Sequence, residues 1–456
     1  MRLIILLRMK VNPLIFKAYD VRGIYPDQLD KSTARLIGQA FAEVYQPKTV
    51  AVGRDVRASG EELKKELIEG FINSGVNVVD IGTITTDQLY FAVGHYKLDG
   101  GISVTASHNP GEYNGFKFAE RGGAPIASEK LEAIRDRVIA GNFKPAKSQG
   151  KISSQEFLDD YIEHVLSFVN IDDIKPLRVV VNANFGAAGR AVDKIAKRLN
   201  ITLERLNWNE DGTFPKGPPN PLLPENRLET SEFMKKVVPD LGVAWDADAD
   251  RVFFFDSQGE FVPSCYIIAL LAQVFLKKFP QAKIVHDITL CWVIDEAVKK
   301  AGGQPIINRV GHTFIKARMR QEDAPFAAES SGHYYFRDNF SADNGIVPFL
   351  MILEMMSRNG QNLEELVSPL RADCYVIDET NFEVVDPLKA IESIEKQFGD
   401  SDTIDKTDGL SVTSANWRFN TRPSNTEPLL RLNAEARSQS ELDGIVAKVK
   451  KIITLS

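Results

Sequence analysis

The segment Trp245-Asp246-Ala247-Asp248-Ala249-Asp250-Arg251 places three carboxylates at i, i+2 and i+4 between two strand-like runs, Leu241 to Ala244 and Val252 to Phe255. An extended loop would turn all three to one side, where like charges repel unless a cation neutralises them. Donors that are all oxygen suit a hard divalent metal. An EF-hand is excluded, because its sixth and twelfth loop positions, Gly and Glu, are here Arg251 and Ser257. A phosphatase of the haloacid-dehalogenase type begins with strand-Asp-x-Asp but continues with Thr or Val where this chain has Asp250. That reading and a plain solvated acidic turn stay open beside the metal site.

A second cluster is Thr105-Ala106-Ser107-His108-Asn109-Pro110, followed by Asn114-Gly115-Phe116-Lys117. A serine at the carboxyl end of a strand is a candidate nucleophile, although GxSxG is absent and the same residues suit a turn held by Asn109. Lys117 is the nearest cation. The loop Arg422-Pro423-Ser424-Asn425-Thr426-Glu427-Pro428 offers a cation, hydroxyls, an amide and backbone N–H groups. It fits a phosphate cradle or an ordinary turn between strands. In Ala328-Glu329-Ser330-Ser331-Gly332-His333, preceded by Val310-Gly311-His312, a carboxylate and a hydroxyl two residues apart suit neighbouring sugar hydroxyls. No two glycines are separated by a single residue, so GxGxxG cannot occur, and no GxxxxGK[ST] is present.

The elements that must position these loops alternate. Lys31 to Tyr45 carries Leu36, Ile37, Ala40, Phe41 and Val44 at helical spacing, Thr49 to Val52 is a strand ending at Gly53-Arg54-Asp55, and Glu61 to Asn73 is amphipathic again. Val76 to Ile81 and Gly101 to Thr105 are strands around a helix over Asp87 to Tyr96. Such alternation implies parallel βαβ units with ligands at the carboxyl ends of strands. The pattern restarts near 178 and 283, which predicts three related α/β domains, and from Cys374 the signals mix as in a smaller α+β domain. Linkers are expected at Gly141 to Lys151, near Gln258-Gly259 and around Ser368 to Asp373, and Pro215 to Pro224 as a surface or active-site loop.

The 456 residues are 43% apolar and 26% charged, a globular composition, with a net charge of −7. That sign argues against a nucleic-acid-coating protein. Three scattered cysteines, Cys265, Cys291 and Cys374, exclude a disulfide framework and place the chain in a reducing compartment. The apolar stretch Leu3 to Leu7 is shorter than a secretory core, and no run approaches the ~18 apolar residues of a membrane span.

Taken in order, these motifs, with Phe16-Lys17-Ala18-Tyr19-Asp20-Val21-Arg22-Gly23 near the start, resemble the α-D-phosphohexomutase superfamily over nearly the whole chain, most closely its bacterial phosphomannomutase/phosphoglucomutase branch. The resemblance implies four domains around a central cleft: three related α/β mixed-sheet domains (1–150, 151–257, 258–370) and a smaller C-terminal α+β domain (371–456). It implies a cytoplasmic isomerase, monomer or dimer, that acts on small hexose phosphates and on neither nucleic acid nor membrane. The expected reaction is interconversion of mannose 6-phosphate and mannose 1-phosphate, feeding GDP-mannose synthesis. Dual mannose/glucose specificity and a magnesium-dependent sugar-phosphate phosphatase are the alternatives.

By the same resemblance, Ser107 is the phosphoserine, Asp246, Asp248 and Asp250 with that phosphate hold Mg2+, and a hexose 1,6-bisphosphate is the activator. Lys117, with a lowered pKa, is the general acid/base; His108 flanks the nucleophile, Tyr19 and Arg22 position the reacting group, and Arg251 adds charge. Glu329 and Ser331 bind the sugar's O3 and O4, Arg422, Ser424, Asn425 and Thr426 grip the distal phosphate with His312, and His333 joins the site. Ala247 and Ala249 replace the usual glycines, so neither is expected at positive φ. Ala106 and Ser330 are further departures, and Ile288-Thr289-Leu290 lacks a phosphate-binding lysine.

Overall fold

Asp30 accepts the Thr33 N–H and starts a helix over Lys31–Tyr45, whose Ile37 and Phe41 are fully buried; Gln46 in the left-handed region stops it. Its periodicity is legible because one apolar face packs on a sheet. The computed structural model describes residues 11–398, 403–423 and 429–455. The apolar stretch Leu3 to Leu7 and the residues Ser424, Asn425 and Thr426 lie outside them.

Three sheets share one design. The first runs Val21–Ile24, Tyr113–Glu120, Gly100–Val104, Thr49–Arg54, Asn77–Thr83, Ile152–Ser154. The second runs Phe261–Val262, Val252–Phe255, Leu241–Trp245, Leu177–Asn182, Ile201–Leu206, and the third Ala342–Asp343, Tyr334–Phe336, Phe326–Ala328, Lys283–Asp287, Gln304–Asn308. In each, the strand starting at 49, 177 or 283 lies between two parallel neighbours. One of those neighbours then turns back antiparallel: Gly100–Val104 on Tyr113–Glu120, Leu241–Trp245 on Val252–Phe255, and Phe326–Ala328 on Tyr334–Phe336. The loops at these three reversals, 105–112, 246–251 and 329–333, carry Ser107, the aspartates and Glu329. The expected repeat is therefore a repeat of site loops.

The fourth sheet is wholly antiparallel, ordered Tyr375–Glu383, Leu429–Ala436, Trp417–Pro423, Leu410–Thr413, Thr403–Asp405, with helices Pro387–Phe398 and Gln439–Leu455 packed on it. One apolar cluster runs through the first three sheets, joining Leu89 and Tyr90 to Val243 and Trp245 and on to Phe326 and Phe349.

Two expected linkers are corrected. Ser368 to Asp373 is the end of a helix over Leu363–Asp373, started by an Asn362/Glu365 capping box that outweighs Pro369. Gln258-Gly259 is the turn between Val252–Phe255 and Phe261–Val262, with Asp256 accepting the Gln258 and Glu260 N–H groups.

Candidate active site

Ser107 is buried, with φ of 49°, in the left-handed region that L residues enter at a cost. The loop holds it there: its N–H donates to Thr105 Oγ1 at 2.9 Å. The hydroxyl lies 3.0 Å from Asp246 Oδ2 and 3.1 Å from His108 Nδ1, so its proton has two acceptors. Burial, reinforced by the charges of Arg251, Arg22 and Lys117, keeps the His108 pKa far below its ordinary value, so the ring is neutral and able to accept. The loop is also a turn, with the Asn109 N–H on Ala106 O, but the Asn109 side chain accepts from Arg22 Nη1 at 2.6 Å instead of holding that turn. Arg22 also pairs with Asp20 at 2.8 Å.

The aspartate loop departs from expectation. It is a tight turn, with the Ala249 N–H on Asp246 O and Ala249 at φ of 52°. A left-handed alanine costs about 1–2 kcal/mol; complete burial of Ala249 and close packing of its carbonyl against Gly345 over-determine the turn. Asp246, Asp248 and Asp250 are all buried, and one ligand oxygen from each lies within 4.8 Å of the others. Burial and the Asp250 and Asp248 charges raise the Asp246 carboxyl well above the usual range. Burial opposes ionisation of Asp250 too, but Lys117, His333 and Arg251 hold it low.

Lys117 reverses a second expectation. Its ammonium pairs with Asp248 Oδ2 at 2.8 Å and more closely with Asp250. Burial works to lower its pKa, yet these two carboxylates outweigh burial and raise it above the ordinary lysine value. Asp248 Oδ2 also takes the Thr86 hydroxyl at 2.5 Å and the Thr105 hydroxyl at 3.1 Å.

The second and third domains meet where Arg251 and His333 form an isolated bridge, with Arg251 Nε 3.3 Å from His333 Nε2. The other ring nitrogen of His333 lies 2.9 Å from Ser331 Oγ. Glu329 accepts the Gly311 N–H at 2.6 Å and the Tyr335 hydroxyl, and burial raises its pKa. A carboxylate has about four acceptor sites, so Glu329 keeps capacity for a ligand. Among the described residues both buried ring nitrogens of His312 have no hydrogen-bond partner, and its ring meets Tyr19 edge-on at 4.5 Å. Burial, with Lys316 and Lys117 nearby, keeps His312 neutral. Tyr19 is in turn raised by burial.

Ser107, His108, Lys117, Arg22, Asp246, Asp248, Asp250, Arg251, Glu329, Ser331, His333, His312 and Tyr19 are thus linked through these contacts. Arg422 sits apart, paired with Glu379 at 2.8 Å; its Nε has no hydrogen-bond partner among the described residues, outside which its predicted loop partners lie. The reading of the sequence missed Thr86, whose hydroxyl fixes Asp248, and Asp287, which accepts the Ser330 N–H at 2.5 Å and the Thr289 N–H at 2.8 Å. Asp287 ends a strand of a βαβ unit, the signal that marks such positions. Thr86 begins a helix and carries no comparable mark.

A hydroxyl, a neutral imidazole, a cationic lysine and crowded carboxylates in one buried junction suit phosphoryl transfer, where positioning and charge neutralisation do most of the work. The match to known proteins is extensive. Four family domain models fit in chain order: phosphoglucomutase/phosphomannomutase alpha/beta/alpha domain I at 13–145, domain II at 159–259, domain III at 264–372 and the C-terminal domain at 379–452. The chain is 42% identical over 453 residues to a phosphomannomutase of Salmonella montevideo, covering 97% of this chain and 99% of that one. It is 44% identical over 429 residues, 94% and 96% of the two chains, to a protein of Xanthomonas campestris named phosphohexose mutases. The crystal structure of a phosphoglucomutase/phosphomannomutase family protein from Burkholderia thailandensis superposes with a TM-score of 0.86 at 31% identity, covering 98% of each chain.

Proposed function

The chain belongs to the phosphoglucomutase/phosphomannomutase family and is a phosphohexomutase, and from that premise we propose that it interconverts mannose 6-phosphate and mannose 1-phosphate through a phosphorylated Ser107. The observation that carries the reading is the Ser107 hydroxyl 3.0 Å from Asp246, on loops of two different domains, beside a lysine that spans the other two aspartates.

In the forward step the phosphorus–Oγ bond of Ser107 breaks as a bond forms to a sugar hydroxyl oxygen. The sugar gives up its hydroxyl proton and Ser107 Oγ gains one. Neutral His108, 3.1 Å from Oγ, and the Lys117 ammonium are the groups placed to exchange those protons. Arg22 and Arg251 add positive charge along the path. Glu329 and Ser331, with His333 beside them, orient the sugar, and Arg422 with His312 takes the distal phosphate. The hexose 1,6-bisphosphate then turns end for end and returns its other phosphate to Ser107, so a hexose 1,6-bisphosphate also serves as the activator that primes the serine.

The site fits magnesium: Asp248 Oδ1 and Asp250 Oδ1 are buried without hydrogen-bond partners among the described residues, and every donor is a hard oxygen. Asp246, Asp248, Asp250 and the Ser107 oxygen would hold it, and the bound ion supplies charge neutralisation to the moving phosphoryl group. Among the described residues no helix is long and apolar enough to cross a membrane. The three cysteines, Cys265, Cys291 and Cys374, are buried and far apart in the sequence, which supports placement in the reducing cytoplasm.

The test is a ³¹P NMR time course with magnesium and a trace of glucose 1,6-bisphosphate, run in parallel on mannose 1-phosphate and glucose 1-phosphate. Faster growth of the mannose 6-phosphate signal is expected. Equal rates would make the protein dual-specific, and inorganic phosphate without any 6-phosphate would overturn the mutase reading.

A further inference from the structure

Arg57 belongs to none of the motifs that define the site, yet its guanidinium is completely buried and every one of its five N–H groups is used. Nη2 donates to the Ser107 carbonyl at 2.7 Å and to the Asn109 carbonyl at 2.6 Å. Nη1 donates to the Pro110 carbonyl at 2.6 Å and to the Tyr113 carbonyl at 2.8 Å. Nε reaches Asp55 Oδ2 at 3.2 Å, and Asp55 in turn takes the Thr105 hydroxyl at 2.7 Å, whose oxygen accepts the Ser107 N–H at 2.9 Å. The Ser107 peptide is therefore gripped from both sides by one network, at the residue forced to φ of 49°.

The grip extends across the domain boundary. Arg57 forms an isolated parallel bridge with Gly212, and its guanidinium lies 4.9 Å from the Phe214 ring centroid. Gly212 approaches so closely that a Cβ there would lie 2.2 Å from Val56 O. Phe214 immediately precedes the proline-rich run Pro215 to Pro224, which is otherwise unconnected with the chemistry.

We infer that Arg57, backed by Phe214 of the second domain, is a positioning residue that fixes the Ser107 loop in the geometry needed for phosphoryl transfer. Four carbonyls converging on one planar fork require a guanidinium. An ammonium has three donors, tetrahedrally arranged, and cannot serve all four. The role is indirect, since Arg57 donates to the backbone of the loop and leaves the Ser107 hydroxyl to Asp246 and His108. Displacement of a reacting oxygen by about 1 Å costs on the order of 100-fold in rate, and substrate binding by Glu329, His312 and Arg422 is untouched.

The inference rests on the phosphoserine role of Ser107, so the two are tested side by side. Full-length parent, Arg57→Lys and Phe214→Leu are loaded with glucose 1,6-bisphosphate. Phosphate on Ser107 is followed by intact mass and peptide mapping, and kcat and KM are measured with mannose 1-phosphate. Arg57→Lys is expected to lower kcat and the rate of Ser107 phosphorylation together, by roughly 10- to 100-fold, with KM within about twofold of the parent. Phe214→Leu, which leaves the fork intact, is expected to slow loading a few-fold with KM unchanged. Loading and kcat of Arg57→Lys within twofold of the parent overturn the role of Arg57. If Arg57→Lys does not fold, unchanged loading in Phe214→Leu overturns it. Absence of phosphate on Ser107 in the parent would instead overturn the phosphoserine reading on which the inference stands.

Discussion

The junction of the first three domains and the seam between the third and fourth are built from different forces. At the junction one apolar cluster runs unbroken from Tyr90 through Trp245 to Phe349, and the reacting groups project from it on three equivalent loops. At the seam the fourth domain keeps its own core and reaches across with polar groups. Arg418 donates to the Ile288 and Thr289 carbonyls, Glu435 accepts the Cys291 and Trp292 N–H groups at 2.9 Å each, and Asp408 accepts the Val310 N–H. Apolar burial contributes about 25 cal/mol per Å² without regard to direction, so the junction is a continuation of folding. A set of hydrogen bonds contributes about 1 kcal/mol each and depends on alignment, so the seam is the more directional of the two contacts. The Ser107, aspartate and Glu329 loops stand on the apolar side, and Arg422 is carried by the other.

The comparison can be broken most decisively at the junction. Ser107→Ala is expected to lower kcat by about 10³-fold or more with little change in thermal midpoint, read by coupled assay and calorimetry. At the seam, Arg418→Met removes the partner of buried Glu435, which lies 3.1 Å away. Loss of one member of such a pair costs about 3–5 kcal/mol. Urea unfolding should then split into two transitions, and KM should rise more than kcat falls. A single transition with an unchanged midpoint would mean that the seam is not held by this pair.

The two regions should also differ in their pH windows. Burial lifts Asp87, beneath the junction, to about 7. Its folded pKa stands above the ordinary carboxyl value, so its stabilising contribution is complete below about pH 4 and lost as pH rises through about 7. At the seam, burial opposes charge on His286, but Asp295 and Cys291 raise it to about 10. That contribution is present below about pH 6.5 and lost as pH rises through about 10, a few kcal/mol in each case. Asp87→Asn should flatten only the lower window of a stability–pH curve, and His286→Gln only the upper. The smallest effect belongs to the half-exposed pair Arg437–Glu296 across the seam. Arg437→Ala should cost less than about 1 kcal/mol, measured by the same urea titration.

Much of the fold was legible because its elements are local. The helix over Lys31–Tyr45 and the strand over Val252–Phe255 lie where spacing predicts them, and strands begin at 49, 177 and 283 as the recurring pattern requires. The acidic triad, Ser107 and Glu329 stood out because reactive side chains at strand ends are unusual in type and spacing. The linkers at Gln258-Gly259 and Ser368 to Asp373 were misread, since Gly and Pro mark a hairpin turn or a tolerated helical proline as readily as a boundary.

By itself the sequence determined the order of elements, the three-fold recurrence and which candidate side chains stand at the strand ends, because periodicity and residue chemistry are properties of short segments. Only the tertiary structure decided what those side chains are. Lys117 is held protonated by Asp248, 131 residues away, and Ala249 accepts a left-handed backbone because the packing around it allows no other. Arg57 finds its purpose in four carbonyls that begin 50 residues downstream. Charge state, backbone strain and hydrogen-bond satisfaction depend on the field and packing of distant neighbours, and those exist only once the chain has folded.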